Sequence, residues 1–186
     1  MNKNDLRVIK TRINIETSFI YLLSQNNIHT ITVQNILDKA LINRSTFYKH
    51  YSDKYQVAEV LCASILEMFT KCVEERFCYS NPTDIKVTCE HLYQILSEKN
   101  SEILILFKIQ TDTVHLYDNM NLYLKTRFYQ QYENKGIYNK EMLGYLSTLY
   151  ASLVMTSIKW CLENNDYKQL LCHVDKFLKL TEIFQL

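Results

Sequence analysis

The sequence predicts an all-α chain of about nine helices, with a small helix-turn-helix unit over residues 1–54 and a larger helical body over 55–186. Three observations carry that prediction. Only 2 Gly and 1 Pro occur among 186 residues, against roughly 7% and 5% in average proteins, and both residue types interrupt helices. Apolar residues recur at three- and four-residue spacing along most of the chain. Between Thr32 and Lys54, two short segments separated by a break of two or three residues read as a helix-turn-helix.

The first predicted helix runs from about Leu6 to Gln25, with Ile9, Ile13, Ile20 and Leu23 on one stripe that Phe19 and Leu22 widen. Arg7, Lys10 and Arg12 gather near its start, as a solvated face or as a basic arm. Asn26-Asn27 ends it, since Asn tolerates the left-handed conformation common at helix C-termini. Thr32 then stands at an N-cap position, and Val33, Ile36, Leu37 and Ala40 at i, i+3, i+4 and i+7 form the inner face of a short second helix. Asn43 can cap a third helix running to about His50. At 100° per residue Phe47 points one way, while Arg44, Ser45, Tyr48 and Lys49 spread over the other side. Ser52 is placed to cap a long fourth helix from Asp53 to about Phe77, with Ala58, Leu61, Ile65, Met68, Phe69 and Cys72 at helical spacing.

The body continues in the same manner. Asn81-Pro82 marks a boundary, with Pro82 allowed in a first helical turn, and a helix follows to about Glu98. Asn100-Ser101 breaks it, and Ser101 can cap a helix to about Leu116. Another spans about Asp118 to Asn134, stopped by Lys135-Gly136. The eighth, about Asn139 to Asn164, is apolar on several sides, and the ninth covers about Asp166 to Phe184. A helix apolar nearly all round has to be covered on more than one side, either by its own core or by a second subunit as well.

The ordered run Ile31-Thr32-Val33, Ile36, Ala40, Ile42, Arg44-Ser45-Thr46-Phe47-Tyr48, His50-Tyr51 and Asp53-Lys54 resembles the DNA-binding domain of the tetracycline-repressor (TetR) family. The resemblance is strong over residues 9–66; beyond them it extends only to being helical. Two positions depart from the family pattern, Asn27 and Leu41, where the family usually carries Gly. If Leu41 takes a positive φ, the strain is on the order of 1–2 kcal/mol.

The chemistry of these residues agrees with reading duplex DNA. Arg44 can make the bidentate contact to guanine in the major groove. Ser45 and Thr46 suit bases or phosphates, and Lys49 and Lys54 phosphates. Thr32 caps a helix end whose N–H groups can themselves meet a phosphate. The resemblance implies that Tyr48 and His50 contact DNA, mostly its backbone. A single module reads few base pairs, so a homodimer on an inverted-repeat operator is expected, its recognition helices roughly 34–36 Å apart or somewhat more.

The resemblance further implies a C-terminal ligand-binding and dimerisation domain. There an unknown small-molecule effector would shift the fourth helix and change the spacing of the reading heads. Candidate lining residues are Met68, Phe69, Tyr93, Phe107, Tyr117, Tyr123, Tyr150 and Met155. The last two helices would form the dimer interface through Leu146, Leu149, Leu153, Trp160, Val174, Phe177 and Leu178.

Charge supports the division: residues 1–54 hold 8 Lys+Arg against 4 Asp+Glu (+4), and residues 55–186 hold 13 against 16 (−3). A basic head meets phosphate and a mildly acidic body does not. The N-terminus has no apolar run behind its charges, and the longest apolar run, Ile103 to Phe107, is far short of the ~20 residues of a membrane helix. The six cysteines (62, 72, 78, 89, 161, 172) show no C-x-x-C and read as reduced thiols of a cytoplasmic protein. No nucleophile elbow, phosphate loop or H-E-x-x-H occurs, so no catalytic residue, metal site or cofactor is expected. The rival reading is a TetR-like coactivator or scaffold that works through protein–protein contacts.

Overall fold

A computed structural model of the chain describes residues 6–78, 85–170 and 172, with side chains described for 6–75, 90–170 and 172. Among the described residues the chain is all helix and loop, without strands. The helices are α1 (Leu6–Gln25), α2 (Val33–Ala40), α3 (Arg44–Tyr48), α4 (Lys54–Cys78), α5 (Ile85–Ser97), α6 (Asn100–Leu106), α7 (Leu116–Glu133) and α8 (Lys140–Asn164). A further helix opens at 167–170, where Asp166 Oδ1 accepts the Gln169 N–H at 2.9 Å. The predicted start at Pro82 and the interface candidates Val174, Phe177 and Leu178 lie outside the described residues. No helix among them is long and apolar enough to cross a membrane.

The chain divides into two compact units, Met1–Ile65 with Ile105–Leu116, and Leu66–Leu104 with Tyr117–Leu186. In the first unit α1 and α2 pack together around Ile15, Phe19, Ile36, Leu37 and Ala40, and Phe47, Tyr51, Val57, Ala58 and Leu61 are buried there too. The stripe of α1 differs from its sequence pattern: Ile9 and Ile13 are 39% and 55% exposed, and the buried row is Ile15, Ser18 and Phe19. One turn of α1 therefore faces solvent where the periodicity expects core. Asn14 explains part of the register, because its Nδ2 donates to Ala40 O at 2.6 Å and serves a carbonyl that the end of α2 leaves without an intrahelical donor.

Helix ends show where side-chain chemistry overrides local pattern. Asn26 and Asn27 do not take the left-handed conformation; among the described residues the positive φ values off glycine are at Leu41 and Asn165. Asn26 Nδ2 instead donates to Leu22 O at 3.1 Å, and Asn27 Oδ1 accepts the His29 N–H at 3.0 Å. The start of α4 is capped by Asp53 rather than Ser52: Asp53 Oδ1 accepts the Gln56 N–H at 2.8 Å, and Gln56 Oε1 accepts the Ser52 N–H at 2.5 Å. A carboxylate binds free first-turn N–H groups better than a hydroxyl does. α6 begins at Asn100 and stops at Leu106, ten residues short of the expected end. The i→i+3 bonds Lys108 N–H to Ile105 O and Ile109 N–H to Leu106 O, both 3.1 Å, tighten its last turn. Thr111 then competes with helix continuation, its Oγ1 accepting the Val114 N–H at 3.1 Å.

In the second unit α8 packs against α5. Leu143, Ser147, Ala151, Met155, Ile158, Cys161 and Leu162 are buried along one side, and Phe69, Cys72, Val73, Leu96, Ile103, Met120 and Leu124 complete the buried set. Asn139 caps its start by accepting the Met142 N–H at 2.8 Å. Asn165 ends it at φ 53°, with its N–H on Cys161 O.

Candidate nucleic-acid interface

The candidate element, α3, is built from its cap outward. Asn43, at φ −83° and ψ 161°, is the N-cap of α3, and its Oδ1 accepts from the Thr46 N–H (2.8 Å), the Ser45 hydroxyl (2.8 Å) and the Thr46 hydroxyl (2.7 Å). One amide oxygen thus fixes the first turn and both hydroxyls, leaving their oxygen lone pairs outward. Phe47 is fully buried and anchors the other side, against Tyr48 edge-on at 5.5 Å and Tyr51 at 6.0 Å. Burying such a ring is worth about 1.5–3 kcal/mol, which suffices to hold five residues of helix in one orientation.

The outer face then follows. Arg44, Ser45, Tyr48 and Lys49 are exposed, and Thr46 and His50 half-buried. The Arg44 guanidinium lies over the Tyr48 ring at 5.8 Å. That cation–π contact limits its sweep without engaging the N–H edge that would read a base. His50 is pushed below the usual histidine range, first by burial and then by the nearby positive charges of Arg12 and Lys49, so it is neutral near pH 7.

Thr32 forms a reciprocal cap at the start of α2. Its hydroxyl accepts the Asn35 N–H at 3.2 Å, while Asn35 Oδ1 accepts the Thr32 N–H at 2.8 Å. The turn between α2 and α3 passes through Leu41 at φ 52°, ψ 43°, so the left-handed conformation is present without a glycine. Leu41 is 90% exposed, so no packing offsets the strain. The Leu41 and Ile42 N–H groups both reach Leu37 O, which closes the C-terminus of α2.

Lys54 is turned inward. Its Nζ donates to the carbonyls of Ile28 (2.7 Å), His29 (3.1 Å) and Ile31 (2.6 Å). An ammonium has three N–H donors, and here three carbonyls of the α1–α2 loop match them. Arg12 is likewise occupied: its Nε donates to Tyr51 Oη at 3.4 Å, and Tyr51 Oη donates to Glu16 at 2.5 Å. Burial, with the Glu16 hydrogen bond next, pushes the Tyr51 hydroxyl up to about 12. Of the basic residues near the start of α1, Arg12 therefore braces the fold, and Lys10 is exposed.

Among the candidate effector residues, Phe69 meets Tyr123 edge-on at 6.4 Å. A cavity of about 30 Å³ in the second unit is lined by Phe69, Cys72, Val73, His91, Leu92, Leu124, Tyr150 and Val154, so only Phe69 and Tyr150 of the expected set touch it. Met155 is core, and Met68 is half-buried. Tyr93 donates to Asn165 Oδ1 at 2.9 Å. Tyr123 donates to Glu74, and the Arg127 guanidinium grips the same carboxylate at 2.8 and 3.0 Å. Tyr123 first, then Arg127, holds Glu74 below the ordinary carboxylate range against the opposing effect of burial. Phe107 belongs to the first unit and Tyr117 to the second, both half-buried.

Of the candidate interface residues, Leu149 and Leu153 are 51% and 48% exposed, and Leu146 and Trp160 are half-buried; Met142 and Tyr145, which are not among the candidates, are also exposed. Met142, Leu146, Leu149, Leu153, Thr156 and Trp160 alternate four- and three-residue steps, the seam spacing of a helix that meets another helix.

No protein-family model matches the chain. Over 71 residues (36% of the chain) it is 32% identical to an uncharacterized HTH-type transcriptional regulator, YxbF, of Bacillus subtilis (strain 168), a match that spans 19% of that relative's length. Among solved structures, a TetR transcriptional regulator from Streptococcus agalactiae 2603V superposes with a TM-score of 0.60 at 21% identity, over 91% of this chain and 93% of that one. The dihydroxyacetone kinase operon activator DhaS superposes with a TM-score of 0.52 at 15% identity, over 92% and 98%. The chain has the fold of these regulators.

Proposed function

We propose that this chain, with its TetR-regulator fold, is a sequence-specific DNA-binding transcriptional regulator of the cytoplasm that acts as a homodimer on an inverted-repeat operator. The observation that carries the reading is α3: a helix short enough for the major groove, anchored by Phe47 and capped by Asn43, with Arg44, Ser45, Tyr48 and Lys49 all outward. Arg44 reads a base edge and Lys49 and Tyr48 meet phosphates. Thr46 and His50 flank them, and Thr32 presents the free N–H groups at the start of α2. Lys54 contributes indirectly, by holding the α1–α2 loop through three carbonyls. The exposed seam of α8 supports pairing of two copies, which places two reading heads on one operator.

Repression, released by a small effector bound to the second unit, is the mode of action we favour. A ligand acts only through its different affinity for two states. The cavity that Phe69 and Tyr150 line, about 30 Å³, is far below the roughly 300–1,000 Å³ of small-molecule sites, so an organic effector seated there would have to widen it. A coactivator that works through protein contacts is the second reading, favoured by the likeness to a protein named an operon activator and by the inward-turned Lys54.

Selection of random duplex DNA by the purified protein at about 150 mM salt, where the phosphate contribution no longer masks specificity, tests the proposal. Enrichment of an inverted repeat is the expected result. Retained DNA of no common sequence, from protein free of bound small molecules, would favour the coactivator.

A further inference from the structure

Three side chains that can ligate a metal come together in the second unit. Cys72 and Glu75 stand three residues apart on α4, which puts them on one helix face, and His91 comes from α5. The Cys72 Sγ, a Glu75 carboxylate oxygen and a His91 ring nitrogen all lie within 4.8 Å of one another. His91 Nδ1 is 3.8 Å from Glu75 Oε2. We propose that Cys72, Glu75 and His91 form a binding site for a divalent transition metal of the zinc type, with a fourth position open to the adjoining cavity.

The donor set selects the metal class. Thiolate, imidazole and carboxylate together suit zinc and its neighbours, whereas calcium and magnesium demand mostly oxygen ligands. The geometry is close to that needed. Metal bonds of about 2.0–2.1 Å to nitrogen and oxygen and about 2.3 Å to sulfur imply ligand–ligand edges of roughly 3.3–3.6 Å in a tetrahedron. The observed 3.8 Å between His91 and Glu75 lies just above that range. The side chains that must move are the exposed ones, His91 at 53% and Glu75 at 42%, while Cys72 is buried and fixed.

An ordinary His–Glu ion pair accounts for two of these groups but not for the thiol beside them. Such a pair at the surface contributes only ~0–1 kcal/mol. Cys72 and His91 also line the cavity of about 30 Å³, and one water needs only about 10–15 Å³ of such volume. A water can therefore complete four coordination there. A thiolate and a carboxylate neutralise the charge of the cation, the thiol proton passing to solvent as the sulfur binds. The adjacent Glu74 does not compete, because Tyr123 and Arg127 already hold its carboxylate.

Cobalt(II) is the probe, added to the full-length chain after chelator treatment and reduction without added thiols. The expected result is one bound ion per chain, with a sulfur-to-cobalt charge-transfer band in the near ultraviolet and the strong visible absorption of a four-coordinate site, both displaced by zinc. Cys72→Ser removes the charge-transfer band, and Cys172→Ser, at an exposed cysteine elsewhere, retains it. Glu75→Gln and His91→Gln, at exposed positions with little effect on folding, each weaken binding about tenfold or more with helical circular dichroism unchanged. A wild-type protein without the band, a band that survives Cys72→Ser, or full affinity in both Gln variants would each overturn the site. None of these readouts depends on DNA binding.

Discussion

The outer face of α3 in the first unit and the tyrosine–carboxylate links in the second satisfy their polar groups over different distances. In the first, the groups that shape the recognition face are neighbours in the chain: Asn43 holds Ser45 and Thr46, and Thr32 and Asn35 hold each other. In the second, the polar links join distant segments, Glu74 to Tyr123 and Arg127, Tyr93 to Asn165 and Tyr167 to Glu90. Local links form as the helix forms and tolerate change elsewhere. Long-range links exist only once the whole unit has folded. The difference teaches that a recognition face can be specified by a short motif, whereas chemistry in the body is specified by tertiary structure.

Lys54 is an exception in the first unit, and the sharpest way to break the comparison. Its ammonium reaches back more than twenty residues to three carbonyls of the α1–α2 loop. Lys54→Met keeps the apolar stem and removes the donors. Hydrogen bonds to a charged group are worth about 1.5–3 kcal/mol, so we expect a loss of about 2–3 kcal/mol in urea unfolding, with little change in how DNA affinity varies with salt. An unchanged midpoint together with a shallower salt dependence would instead make Lys54 a phosphate contact. Arg44, only ten residues earlier, points outward over Tyr48 and tests the opposite behaviour. Arg44→Ala should leave stability nearly unchanged and lose about 1–3 kcal/mol of discrimination at one base pair. A uniform loss over all sequences would assign Arg44 to the backbone.

Nothing in the sequence distinguishes these two cations, since both sit in the motif with suitable charge. What was legible was helical periodicity and cap chemistry: the stop at Lys135-Gly136, the Thr32 and Asn43 caps, and the burial of Phe47. Less legible was any feature that depends on a partner far along the chain. Ile9 and Ile13 fit a core stripe by spacing but lie on the exposed side. The α6 helix ends at Leu106 because Thr111 and the turn bonds before it win over helix propensity. Cys72 and Glu75 carry a local hint in their three-residue spacing, but His91 joins them only through the packing of α4 and α5.

Two left-handed helix ends without glycine sharpen the comparison at a smaller scale. Asn165 and Leu41 adopt nearly the same φ, 53° and 52°, but only Asn relieves the conformation with a short polar side chain. Left-handed strain of roughly 1–2 kcal/mol at Leu41 is offset on replacement by the larger unfolded-state freedom of Gly, about 0.5–1 kcal/mol. Leu41→Gly should therefore stabilise the first unit by about 0.5–1 kcal/mol, read as a higher urea midpoint. A lower midpoint would mean that the exposed leucine makes a contact, for instance with a second copy.

The smallest effect belongs to His50. Burial, then Arg12 and Lys49, keep its folded pKa below the usual 6.5, so folding favours the neutral ring. The stability this contributes is fully present above about pH 6.5 and is lost as pH falls through the lower, folded value. His50→Gln, which cannot titrate, should flatten the fall in stability that begins below about pH 6.5. DNA reverses the sign. A phosphate beside His50 favours the charged ring, so wild-type affinity should rise relative to His50→Gln as pH drops over the same range. Parallel affinity curves for the two proteins would take His50 off the DNA-contacting face and leave it as a packing residue between Arg12 and Lys49.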